Sequence, residues 1–122
     1  MAGKMSIGAQ QEVLFFEEAK KKIDRLHSLI EQVAAARIGQ EQMMQPIGRT
    51  AVDAQRLFMN KGHGVMADTC NNIAMQAKRG GGMAMKIRTF RELLNSVKSA
   101  MDTRVKVIIA EESRKQEALK KE

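Results

Sequence analysis

His63 and Cys70 are the two side chains best suited to chemistry in this sequence of 122 residues. An imidazole between Gly62 and Gly64 sits where backbone can approach a ligand closely. It could act as a base, a metal ligand or a phosphoacceptor. A thiol becomes a nucleophile when a base within about 3 Å takes its proton. Seven positions along a helix separate the pair by roughly 10 Å, too far to share one metal ion. Asp68, Asn71 and Asn72 add oxygen atoms nearby without forming a calcium loop. His63 is therefore read as a polar residue in an interhelical turn. Cys70 falls on an apolar stripe and is read as a buried, inert thiol. His27 borders Leu26 and is read as a packing residue at the edge of the first helix. Neither ExxH nor HExxH occurs, so no catalytic residue, metal or other cofactor is expected.

The second place where chemistry could occur is Lys78-Arg79-Gly80-Gly81-Gly82. Free backbone amides at the start of a following helix attract anions. Lys86, Arg88, Arg91 and Lys98 follow on that helix. With Lys78 and Arg79 they make the candidate phosphate or anion contacts. The nucleotide-binding pattern GxxxxGK[ST] is absent, and a flexible turn is the plainer reading. Net charge is +7, which biases encounters toward anionic partners. From Met83 to Glu122, ten Lys and Arg face six Asp and Glu, and this segment is the most basic part of the chain. Such a helix could contact nucleic-acid phosphates without reading bases. The absence of Tyr and Trp weakens base stacking, and it also removes the usual anchors for a membrane surface.

These residues need elements to hold them, and the spacing of the apolar residues supplies four. Phe16, Ala19, Ile23, Leu26, Ile30 and Val33 repeat in steps of three and four, predicting a helix from about Gln10 to Arg37 with Gly39 just past its end. Glu17 with Lys21 and Glu18 with Lys22 are spaced as surface pairs on it. Pro46 either opens the next helix or kinks one begun near Gln40. Ile47, Ala51, Ala54 and Phe58 form the stripe of that helix. The stripe changes phase at Met66, Cys70, Ile73 and Ala77, so a break is expected at Asn60–Gly64. Basic residues followed by three glycines then stop the third helix. Met83, Ile87, Phe90, Leu94, Val97 and Met101 begin the last one, and Val105–Ala110 continues it as helix rather than strand.

The expected fold is all-α, an antiparallel bundle of three to four helices with long first and last helices. Residues 1–8 are expected to be flexible, residues 9–122 to form a single domain, and the final ten or so to fray or project. Ten Met and four Phe make the core adaptable. Ile23, Leu26, Ile30, Phe90, Leu94, Val97 and Met101 form the expected assembly seam. Long stripes suit a homo-oligomer that also engages a protein partner. The expected role is thus a non-enzymatic assembly or adaptor protein presenting a basic face. Nucleic-acid binding through the last helix is the alternative, and membrane binding is not expected. One cysteine and no apolar leader suggest a cytoplasmic setting.

Overall fold

Heptad spacing becomes burial on the first helix, where Phe16, Ala19, Ile23, Leu26, Ile30 and Val33 all lie inside. The computed structural model describes residues 5–120. Over that range the chain folds as α1 (Ile7–Ala35), α2 (Gln40–Asn60), α3 (Gly64–Lys78) and α4 (Met83–Lys120). This is the expected all-α bundle, with four helices and with the first and last longer than the middle two. Each helix packs on its neighbours in sequence, and α4 closes the ring on α1.

Capping explains where α1 starts and stops. Ser6 Oγ accepts the Ala9 amide at 3.2 Å, so helix begins at Ile7, inside the segment expected to be flexible. Met5 packs half-buried on the core, while Met1–Lys4 lie outside the described residues. At the other end α1 stops at Ala35, two residues short of the expected Arg37. Gln40 Nε2 reaches back to donate to the Val33 carbonyl at 2.9 Å, which also accepts the Ala36 amide in the last turn. Gly39, with φ of 76°, introduces α2 instead of terminating α1. On the surface of α1, Lys21 pairs with Glu18 at 3.1 Å rather than with Glu17.

Pro46 lies inside α2, so the helix begun at Gln40 runs through it. Gly62 ends α2 as expected. Its φ of 78° lets Gly62 N–H reach Met59 O at 3.1 Å and His63 N–H reach Phe58 O at 2.9 Å, a Schellman closure. Small residues then bring α2 and α3 together. Ala51 and Ala54 on α2 and Ala67, Ala74 and Ala77 on α3 are buried. A Cβ at Gly48 would stand 3.7 Å from the Ala77 Cβ.

The turn between α2 and α3 rests against the first turns of α1, where Lys61 and His63 share a cleft with Gly8, Glu12 and Phe15. α1 and α4 run antiparallel, with Ser6 beside Glu112 and Glu31 beside Arg91. The last turns of α4 therefore extend past the start of α1. Residues 106–120 remain helical; Ile108 and Glu112 are still buried, and only the turns beyond Glu112 reach past Ser6. The expected end of the chain, Lys121 and Glu122, lies outside the described residues.

Candidate functional site

The side chains best suited to catalysis are occupied in packing. Cys70 is fully buried on α3, and burial pushes its thiol up to about 12. A buried thiol that keeps its proton is a poor nucleophile near neutrality. His63 precedes α3 and stacks on Phe15 with centroids 5.5 Å apart, while Phe16 lies tilted at 5.0 Å. Its ring thus completes an aromatic cluster with Phe58. His27 stays at the edge of α1, where Lys98 Nζ approaches its Nδ1. Among the described residues no group of three or more His, Cys, Asp or Glu could hold a metal ion. Among the described residues no helix is long and apolar enough to cross a membrane.

The cations of α4 are spent largely along its own contacts. Arg91 holds Glu31 through two hydrogen bonds of 2.9 and 2.7 Å, which keeps the Glu31 carboxyl below its ordinary range. Arg104 holds Glu12 in the same way at 2.9 and 3.3 Å. Lys98 is engaged with His27, and Arg88 meets Glu92 at 3.4 Å. Lys86 is buried, its ammonium donating to the Arg79 carbonyl at the C-terminus of α3. A cation there also complements the dipole of α3. Of the six candidate anion contacts, Lys78 and Arg79 are left exposed without an ion pair, and the six do not converge on one point.

The other end of α4 contributes the opposite charge. Glu112 is buried, and its carboxylate accepts Ser6 Oγ–H at 2.7 Å and Ser6 N–H at 3.3 Å. In a capping box the acid that reaches back to the cap comes from the third helical residue. Here that residue is Ala9, and Glu112 supplies the carboxylate from another helix. Hydrogen bonds from Ser6 hold the Glu112 carboxyl below its ordinary value of 4.5, and Lys115 adds to the effect. A depressed native pKa contributes stability above the unfolded value and loses it as pH falls through the native one. Acidification from about pH 5 to 3 should therefore lower the urea midpoint, with Glu31 and Glu112 both contributing. The Glu112→Gln variant should show a shallower acid limb, and an unchanged limb would remove Glu112 from the account. The sequence held a clue to this residue, because Glu112 interrupts the apolar stripe Met101, Val105 and Ile108 at seam spacing.

The residues of the expected assembly seam face inward. Ile23, Leu26, Ile30, Phe90, Leu94, Val97 and Met101 are all buried within the single chain. Exposed apolar side chains gather elsewhere. Ile7, Leu14, Met59, Val65, Val107, Ile109 and Leu119 lie toward the end of the bundle that carries the α2–α3 turn, and Ile38, Met75 and Met85 lie toward the other end. Alongside, a groove of about 410 Å³ runs between α1 and α4 over Val13, Met101 and Val105. No protein-family model, curated protein or solved structure matches the chain.

Proposed function

We propose that this chain is a non-enzymatic helical assembly or adaptor protein, which associates with itself and presents a basic face to protein partners. The observation that carries this reading is the overreach of α4. Its seam runs through Met101, Ile108 and Glu112, and heptad spacing continues it to Leu119, which is 71% exposed. A seam that outlasts its own partner helix is suited to a helix from another molecule. Exposed Lys106, Arg114 and Lys120 flank it and would favour an acidic partner.

A second reading rests on Lys78 and Arg79, which are exposed just before α4 and are free to meet phosphates. Light-scattering mass of the purified protein separates the two. It is measured alone, with a duplex and with a single-stranded oligonucleotide, at about 50 and 200 mM salt, because phosphate contacts weaken steeply over that range. An oligomer that ignores both nucleic acids supports the assembly reading. A monomer whose mass rises with oligonucleotide at low salt only would replace it with phosphate binding.

A further inference from the structure

Two rims of charge border the groove between α1 and α4, and they carry opposite patterns. Along α1 the rim reads Glu17, Lys20, Asp24; in the same direction α4 reads Lys106, Asp102, Lys98. That direction is fixed by the antiparallel links Ser6–Glu112 and Glu31–Arg91. Acid, base, acid therefore stands beside base, acid, base. Among the described residues none of the six forms an ion pair with a residue of opposite charge, Lys98 being engaged with His27. The groove floor between the rims is apolar, with Val13 and Val105 only half-buried.

We propose that a second copy of this chain docks on the α1–α4 groove, with a two-fold axis running along it, so that α1 of each copy lies over α4 of the other. Isologous contacts repeat every pair twice. Glu17 then meets Lys106, Lys20 meets Asp102 and Asp24 meets Lys98, in both directions. A two-fold axis crossing the groove instead would lay each rim on its own reversed copy. Glu17 would face Asp24, Lys98 would face Lys106, and Lys20 and Asp102 would each face themselves. Every one of those contacts is between like charges. The charges thus choose the orientation, while the apolar floor supplies the attraction, a division of labour common at interfaces. This inference rests on the self-association proposed above and adds which surface and which symmetry produce it.

Charge reversal at one pair tests it. Dissociation is followed by light scattering on dilution at low salt for the wild type, Lys20→Glu, Asp102→Lys and the double variant. Both positions are exposed, and helical circular dichroism checks that each variant folds. Each single change places two like-charge contacts in the interface and should weaken association by about tenfold or more. The double variant restores opposite charges and should associate like the wild type. Crossed symmetry predicts no loss from the single changes, because like charges face each other before and after. A wild-type dimer indifferent to both single changes, or a double variant no better than the weaker single, would overturn the groove and its axis while leaving self-association standing. A wild type that stays monomeric at every concentration would overturn self-association itself, and this proposal with it.

Discussion

Phe58→Ala should destabilise the bundle by about 3–5 kcal/mol, read as a fall in the urea midpoint with an unchanged slope. Phe58 is among the largest side chains that are fully buried. Its ring meets Phe15 edge-on at 5.9 Å, a geometry that adds to simple burial. Its carbonyl accepts the His63 and Lys61 amides that close α2. Truncation would leave a void where α1, α2 and the turn before α3 converge, and the small residues lining α2 and α3 have no length to fill it. A cost below about 1 kcal/mol would mean that this end of the bundle is loosely packed and the aromatic cluster is not a fixed structure.

The second large effect is expected from Leu94→Ala, at about 2–5 kcal/mol. Leu94 is 2% exposed near the middle of the α4 stripe, between Phe90 and Val97. Leu119→Ala is the matched control. It removes the same atoms from the same helix at a position 71% exposed, so it should leave the urea midpoint of the isolated chain nearly unchanged. If Leu119→Ala nevertheless reduces the mass seen by light scattering, the overreaching seam is a contact between molecules. Equal destabilisation by both substitutions would contradict the burial pattern of α4.

What the sequence made legible was the set of inward faces. Steps of three and four mark Ile23, Leu26 and Ile30 on α1 and Phe90, Leu94 and Val97 on α4, and all six are buried. Gly62 and the glycines after Arg79 marked the turns, because no other residue makes them so cheaply. The assignment of those stripes to contacts between molecules was harder to read. A periodic stripe says which face is covered and nothing about whose helix covers it. The polar partners were not legible for a related reason. Arg91 lies 60 positions from Glu31, and Glu112 lies 106 from Ser6. No local spacing joins such pairs. Lys86 looked like a surface cation, since its burial depends on a carbonyl at the end of the preceding helix.

The ring of four helices also dictates an order of assembly. Three of its four contacts join neighbours in sequence, α1 with α2, α2 with α3 and α3 with α4, across connections of only a few residues. The fourth, α1 with α4, must bring opposite ends of the chain together, and that loop-closure entropy is the largest of the four. It is met by directional contacts: two bidentate arginines and the carboxylate that completes the Ser6 cap. Ser6 therefore gains its carboxylate partner only when the far end of α4 arrives. The Ser6 amide, which donates to Glu112, reports that contact in hydrogen exchange. The seam that closes last is the one that borders the groove, so a second copy seated there would slow its reopening and make the lifetime of the fold depend on protein concentration.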